Sequence, residues 1–311
     1  MPALSVVIPA YAAQDTIGAC LESLAAQSDA PPFEVIVVDS SPDAATETAL
    51  RQVTARQMEL RVRYEHLRAR AFPGVARNVG ARLAAADVLL FLDADCVAEP
   101  DLVARAARAL GAGASAVSGS IALAPRSPAS AHLRHLLEFK ESLPSCPPRR
   151  TWQLPSACLV MRREVLTRYG GFPESRASED WLLDWRMWQA GEDLRFDPAL
   201  RVVHRTRPGW GALWRYSRLL GFHSGAARRR GGLPGQLLVR WPELAPLLLP
   251  PGRTLRAFVW CARNAPQEIP FLVLVWPAYL AMAGVWALGF RAGVREPDGR
   301  DERLAPNRAS P

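Results

Sequence analysis

The run Val88-Leu89-Leu90-Phe91-Leu92 leads directly into Asp93-Ala94-Asp95. A short, uninterrupted apolar run suits a strand buried on both faces of a parallel sheet. The two acids then fall at the carboxyl end of that strand, where open α/β sheets bind their ligands. Residues i and i+2 of a strand point the same way. Asp93 and Asp95 can therefore converge on one hard cation, Mg²⁺ or Mn²⁺, that also holds a diphosphate. The competing reading of an isolated D-x-D is two solvated acids in a loop, and the rest of the chain decides between them.

The first 125 residues alternate between the two periodicities. Strands are expected over Leu4–Ile8, Phe33–Val38, Arg61–His66 and Ala116–Ile121. Helices are expected from Ile17, with Cys20, Leu21 and Leu24 on one face and Asp15 or Thr16 as cap, then over Asp43–Leu60 and Gly74–Ala86. Alternating strands and helices imply an α/β fold with a doubly wound, mostly parallel sheet. Pro125–Ser130 and Pro144–Arg150 read as loops. No G-x-G-x-x-G follows the first strand, and no G-x-x-x-x-G-K-[ST] is present. A phosphate must be held some other way, and a metal on Asp93 and Asp95 is the economical answer.

A chain of 311 residues with 49% apolar content can bury a large core as one or two domains. The net charge is +8, yet Lys140 is the only lysine, so arginine supplies the other basic residues. That skew is what a GC-rich genome produces. No helix-turn-helix, zinc-finger or RRM pattern accompanies it, so no nucleic-acid partner is expected. The five cysteines are scattered, without C-x-x-C, and fit reduced thiols. A strand begins almost at once, so no signal peptide is expected.

The far end differs. Ile269 to Phe290 carries no charge over 22 residues and is long enough to span a bilayer as a helix. Trp276, Tyr279 and Trp286 suit an interface. Membrane association is expected, with a span slightly preferred to in-plane attachment. Arginines flank the segment on both sides, Arg256 and Arg263 before, Arg291 and Arg295 after, so charge gives no orientation. Between Pro198 and Trp241 lie nine arginines and no acid. A membrane surface, a lipid phosphate or the donor diphosphate would suit them. The expected division is a catalytic domain over 1–231, an apolar helical region over 232–296 and a disordered tail over 297–311.

Five ordered segments resemble the inverting family-2 glycosyltransferases of the GT-A fold, of the bacterial cell-envelope type. They are Ser5-Val6-Val7-Ile8-Pro9-Ala10-Tyr11, Val37-Val38-Asp39-Ser40-Ser41-Pro42-Asp43, Pro73-Gly74-Val75-Ala76-Arg77-Asn78-Val79-Gly80, Phe91-Leu92-Asp93-Ala94-Asp95, and Ser178-Glu179-Asp180 followed by Arg186 and Gly191. The resemblance covers about Ala3 to Arg230. It implies transfer of a sugar from a nucleotide-sugar donor to a hydroxyl of a glycan or lipid-linked acceptor, with inversion, at the cytoplasmic face of the inner membrane. It assigns Asp93 and Asp95 to the metal diphosphate, Asp95 as the more direct ligand, and Asp180 to the base. It places Pro9 and Tyr11 in the nucleotide-facing loop, Asp39 on the nucleoside and Arg77 on the nucleotide. Acidic capping of the following helix is the alternative for Glu179 and Asp180.

Two departures stand out. The family often carries a second acid after the position of Asp39, and here it is Ser40. The Q-x-x-R-W motif of processive synthases is absent, so addition of one or a few sugars is expected. A pyrophosphorylase and a non-catalytic, membrane-tethered protein with a degenerate transferase fold are the other readings. The first would need a glycine-rich, lysine-bearing opening loop that is missing. The second conflicts with intact Asp93, Asp95 and Asp180.

Three further groups carry polar or aromatic side chains at regular spacing or a strand end. His204 follows Val202-Val203 and is either a further metal ligand, as in some GT-A enzymes, or a hydrogen-bonded strand-end histidine. His132 and His135 read as an ordinary helix face. Trp181, Trp185 and Trp188 share one helix face and are expected in the core.

Overall fold

The computed structural model describes residues 2–56, 60–111, 113–205 and 209–296. Nine strands and eleven α-helices are described: β1 Leu4–Ala10, α1 Ile17–Ala25, β2 Phe33–Asp39, α2 Ala45–Thr54, β3 Val62–His66, α3 Pro73–Leu83, β4 Val88–Leu92, β5 Cys96–Ala98, α4 Leu102–Ala109, β6 Ala116–Leu123, α5 Ala129–Phe139, β7 Arg149–Arg150, β8 Cys158–Arg162, α6 Arg163–Arg168, α7 Glu179–Gln189, β9 Leu194–His204, α8 Trp210–Gly231, α9 Gln236–Arg240, α10 Ala245–Asn264 and α11 Ile269–Arg295.

The strands form one sheet in the order β3-β2-β1-β4-β8-β6-β9-β5, with β7 on β9. β1, β2, β3 and β4 are mutually parallel, and β6 runs parallel to β9. The chain first winds outward from β1 through β2 to β3. It then returns to place β4 on the other side of β1, which makes the β1/β4 boundary a switch point. Helices cover both faces. Val6, Ile8, Leu90 and Leu92 pack toward α1 and α4, while Val7, Leu89 and Phe91 pack toward α3 and α7. This alternation explains why β1 and β4 are apolar without interruption: each side chain has a layer to enter. Gly80 of α3 sits so close to β1 that a Cβ there would overlap Val7.

Some local expectations are corrected. Thr16 occupies the cap position of α1 but makes no side-chain capping bond; its hydroxyl donates back to the Ala13 carbonyl at 3.3 Å. α5 begins at Ala129, inside the expected loop over Pro125–Ser130. β7 occupies the end of the expected loop over Pro144–Arg150. The expected tail over 297–311 and the end of the helix expected over Asp43–Leu60 include residues outside the described ones.

The last helices form a third layer. α8 makes its most extensive contacts with α11, which also packs on α10. The α8–α11 seam is built from glycine: a Cβ on Gly221 would overlap the Trp286 carbonyl, and one on Gly289 would overlap that of Arg218. The helical layer thus begins at Trp210, with α8. α11 belongs to the one described stretch long and apolar enough to cross a membrane. Its Leu272, Val275, Tyr279 and Met282 are buried in a cluster with Leu133 and Leu136 of α5. Its later residues Trp286 and Phe290 are buried beside α8, and only one side of the helix is open.

Candidate active site

Two cavities meet at the carboxyl end of β4. The first, about 540 Å³, lies along the β1/β4 switch point and is lined by Pro9, Tyr11, Arg70, Asp93 and Asp95 among others. The second, about 270 Å³, lies between the sheet and the helical layer and is lined by Asp180, Trp181, Tyr216 and Arg253 among others. Pro73, Arg77, Asp93 and Arg176 line both. Five of the sequence-predicted residues, Pro9, Tyr11, Arg77, Asp93 and Asp95, thus share the first cavity, and Asp180 looks into the second.

The loop after β1 is held from below. Ala12 has φ +48 and donates its N–H to Ser41 Oγ at 2.9 Å. Ala13 donates to Thr46 Oγ1 at 3.0 Å. Ser41 Oγ in turn donates to Asp39 Oδ1 at 2.5 Å, and Tyr64 donates to Asp39 Oδ2 at 2.9 Å. Asp39 is fully buried and lies outside the lining of the first cavity. Asp39 thus sits behind the loop that lines this cavity. Its carboxylate is occupied in positioning the loop that carries Tyr11. Ser40, where the family often has an acid, donates to the Ala71 carbonyl at 3.3 Å and ties this loop to the approach to α3. The ring of Tyr11 is covered by the Arg70 guanidinium at 4.5 Å.

Arg77 is 3% exposed and joins two acids. It donates to Asp93 Oδ1 at 2.6 Å and to Glu179 Oε1 at 2.8 Å. A buried guanidinium with two carboxylates is neutralised locally, so its charge organises the wall between the cavities. Burial disfavours its charge, but Asp93, Glu179 and Asp180 outweigh that and raise its pKa.

Asp95 faces His204, whose Nε2 is 3.2 Å from Asp95 Oδ2. β9 delivers His204 there through its antiparallel pairing with β5, which sets Cys96 opposite His204. Burial pushes the Asp95 carboxyl up, but the hydrogen bond and charge of His204 prevail and hold it below its ordinary value. Two carboxylates at one cavity wall, Asp95 backed by the buried His204 imidazole, are groups of the kind that suit Mg²⁺ or Mn²⁺. Among the described residues, no group of three or more His, Cys, Asp and Glu is arranged as a finished metal site.

Asp180 stands in the first turn of α7, after Ser178 at φ +68. Its Oδ1 accepts the Trp181 N–H at 2.8 Å, and its Oδ2 accepts the Ser156 N–H and hydroxyl at 3.4 Å. The capping contact and the exposure to the second cavity coexist. Burial raises the Asp180 pKa, partly offset by the charge of Arg77. Burial and the neighbouring Asp180 push Glu179 up to about 7.

Several site residues escape a linear reading. Tyr216 of α8 donates to Glu138 of α5 at 2.8 Å, and the Arg134 guanidinium lies 3.9 Å over the Tyr216 ring. Arg253 and Trp286 arrive from α10 and α11. Only the i, i+4 spacing of Arg134 and Glu138 was a signal in the sequence. The tryptophans of α7 are half-buried rather than in the core, because Leu183, Asp184 and Met187 fill its inner face. Trp181 and Trp185 pack edge-on to Trp152, with centroids at 6.1 and 5.3 Å. His132 and His135 are occupied structurally, His132 with Glu268 at 2.6 Å and His135 with the Ile121 carbonyl at 3.1 Å.

A family profile described as Glycosyl transferase family 2 matches residues 5–170, more than half of the chain. Glycosyltransferase AglE of Haloferax volcanii is 26% identical over 217 residues, covering 67% of this chain and 68% of its own. Validoxylamine A glucosyltransferase of Streptomyces hygroscopicus is 42% identical over 107 residues, which is 33% of this chain and only 22% of that relative. Among solved structures, the mannosyltransferase PcManGT of Pyrobaculum calidifontis, in complex with GDP-Man and Mn²⁺, superposes with a TM-score of 0.62 at 22% identity. It covers 94% of this chain and 86% of its own. TarS of S. aureus with UDP gives 0.51 at 18% identity, with 94% and 90% covered.

Proposed function

The chain belongs to glycosyl transferase family 2 and is a glycosyltransferase, and from that premise we propose that it is a metal-dependent, inverting, non-processive enzyme of cell-envelope glycan or glycolipid synthesis. One observation carries the reading: the two cavities share the Arg77–Asp93 wall. The first takes the nucleoside diphosphate, and the second takes the acceptor. The neighbours bound to GDP-Man and UDP support a nucleotide-sugar donor in the first.

The acceptor hydroxyl attacks the anomeric carbon from the side opposite the diphosphate. The bond from that carbon to the diphosphate oxygen breaks, and the diphosphate leaves with the electron pair. The hydroxyl proton passes to Asp180, whose raised pKa makes it a better base than an ordinary aspartate. Arg77 keeps the nearby acids compatible, because its one positive charge is shared between Asp93 and Glu179. Asp93 and Asp95, with His204, would hold the cation, which supplies positive charge against the leaving diphosphate when bound. Tyr11 and Pro9 form the nucleotide-facing loop, and Asp39 holds that loop in place.

The helical layer suits the surface of a membrane. Apart from Tyr11, every described large apolar side chain that is exposed lies between Trp210 and Leu288. Trp214, Trp241, Leu247 and Leu274 are each at least half exposed there. Because α11 is committed to α8 and α5 along one side, in-plane attachment is preferred to a span. The cytoplasmic face of the inner membrane follows from the need for sugar nucleotides.

The test is release of nucleoside diphosphate by the full chain from a panel of nucleotide sugars, with Mn²⁺ and with EDTA. Metal-dependent release and an inverted anomeric configuration in the product are expected. No release from any donor, or retained configuration, refutes the reading.

A further inference from the structure

A groove of about 590 Å³ shares no lining residue with the two cavities of the active site. It lies at the other end of the sheet: Arg195 stands near the start of β9, whereas His204 ends that strand. Five guanidinium groups line it, from Arg105 and Arg108 of α4, Arg149 and Arg150 of β7, and Arg195. β7 brings its two arginines there by pairing with the start of β9, Arg149 opposite Phe196 and Arg150 opposite Arg195. Neighbouring acids offset part of this charge. Asp101 accepts from Arg105 at 2.5 Å, and Asp193 lies 3.1 Å from Arg150 and accepts from Arg195 at 2.9 Å. Five guanidinium groups thus meet three carboxylates, Asp101, Asp193 and the lining residue Asp197, and two positive charges remain over. Arg108 forms no ion pair among the described residues.

Arg149 is held in place by neutral groups. It donates to the carbonyls of Pro147 at 3.4 Å and Glu141. Its guanidinium lies 4.4 Å over the Phe196 ring and 5.1 Å over the Trp260 ring of α10. Trp260 is anchored in turn, its Nε1 donating to the Lys140 carbonyl at 3.0 Å. The nearby Glu141 carboxylate pairs with Lys140 and Arg256. Burial holds the Arg149 pKa below its ordinary value, and Cys146 and Glu141 offset only part of that. The Arg149–Trp260 contact also joins the groove to the helical layer. Leu255, Val259 and Arg263 recur every four residues on α10, and all three are exposed. An exposed apolar stripe ending in arginine, beside a groove of arginines, is the pattern of a surface that rests on anionic lipid.

We infer that this groove binds the phosphate head group of an anionic membrane lipid, while the exposed stripe of α10 enters the bilayer surface beside it. This rests on the reading of the helical layer as the attachment surface, and it adds a head-group preference to that reading. The planar guanidinium groups offer a phosphate diester paired, charge-assisted hydrogen bonds. The site is one of attachment and takes no part in sugar transfer, since β9 separates it from His204 and the acids of the active site.

The experiment is flotation of the full chain, at fixed ionic strength, with vesicles of phosphatidylcholine alone and of phosphatidylcholine mixed with phosphatidylglycerol. The wild type should float with both and bind the phosphatidylglycerol vesicles about tenfold or more tightly. Arg108→Gln should reduce that preference about fivefold, and the double variant with Arg105→Gln should remove most of it. Both side chains are exposed on α4, so the fold should tolerate the changes. Arg82→Gln, on α3 across the sheet, removes the same charge and should leave the preference intact. The inference is overturned if the wild type binds both vesicles equally, which leaves attachment itself standing. It is also overturned if the double variant keeps the full preference, or if Arg82→Gln lowers it as much as Arg108→Gln does. Equally tight binding of soluble glycerol phosphate would assign the groove to a soluble anion and overturn it too. A wild type that floats with neither vesicle would instead sink the attachment reading, and the inference with it.

Discussion

Arg77 and Glu179 stand 102 positions apart in the chain and meet at 2.8 Å in a site closed to solvent. The pair locks the start of α7 to α3, and with Asp93 it ties α7 to the end of β4. Removing the guanidinium leaves Glu179 buried and unbalanced. Arg77→Met should therefore destabilise the fold by about 3–5 kcal/mol. Arg77→Lys should recover only part of this, since one ammonium does not span two carboxylates as a guanidinium does. Denaturant unfolding of the three proteins gives the answer, and equal midpoints for wild type and Arg77→Met would refute it.

Asp180→Asn removes the basicity and keeps the shape. Turnover should fall by roughly 10²–10⁴-fold while nucleotide affinity holds. Glu179→Gln should cost far less in turnover, because Glu179 is occupied by Arg77. In the wild type the rate should rise with pH through the raised pKa of Asp180, since only the ionised form accepts the proton. A dead Glu179→Gln beside an active Asp180→Asn would shift the assignment by one residue.

Asp93→Asn and Asp95→Asn should each abolish the part of nucleotide binding that depends on Mn²⁺. Binding measured with metal and with EDTA should then coincide. A metal-dependent increment that survives in the double variant would rule out these acids as the holders of the cation.

Asp184 has a different fate from its neighbours. It is fully buried; Oδ2 accepts the Leu154 N–H at 2.8 Å, and Oδ1 has no partner. Burial and then the charge of Asp180 raise its pKa well above 3.8 in the folded state. Between the unfolded and folded values the folded protein binds more protons, so stability falls as pH rises. Asp184→Asn should flatten that decline. Urea unfolding at about pH 5 and about pH 8 checks it, and equal slopes in both proteins would contradict it.

The exposed apolar face makes its own demand. Replacing Trp241 and Leu274 with Glu should shift the protein from floated anionic vesicles to the soluble fraction. Donor hydrolysis should persist, because neither residue lines a cavity. Undiminished flotation would remove the helical layer as the attachment surface.

The strands β1, β2 and β4 and the acids at the β4 end were legible because a strand buried on both faces announces itself as an apolar run. The motif led to Asp180, which lines the second cavity. β8 was not legible in this way. Its run Cys158–Met161 is just as apolar, but its insertion, antiparallel to both β4 and β6, depends on pairing with strands far away in sequence. Asp39 was placed correctly at a strand end, but nothing local shows that Ser41 and Tyr64 each donate to one of its oxygens. Arg253 and Trp286 were invisible as a pair for the same reason: which helices share a wall is decided by packing, and the close glycine seam of α8 and α11 decides it here.

Trp286 belongs to two structures at once. Its carbonyl is the atom against which Gly221 presses, and its side chain lines the second cavity. A seam made of backbone against backbone has no side chain left to bend, so it passes displacement on instead of absorbing it. The open face of α11 and the lining of the second cavity therefore lie on opposite sides of one rigid helix pair.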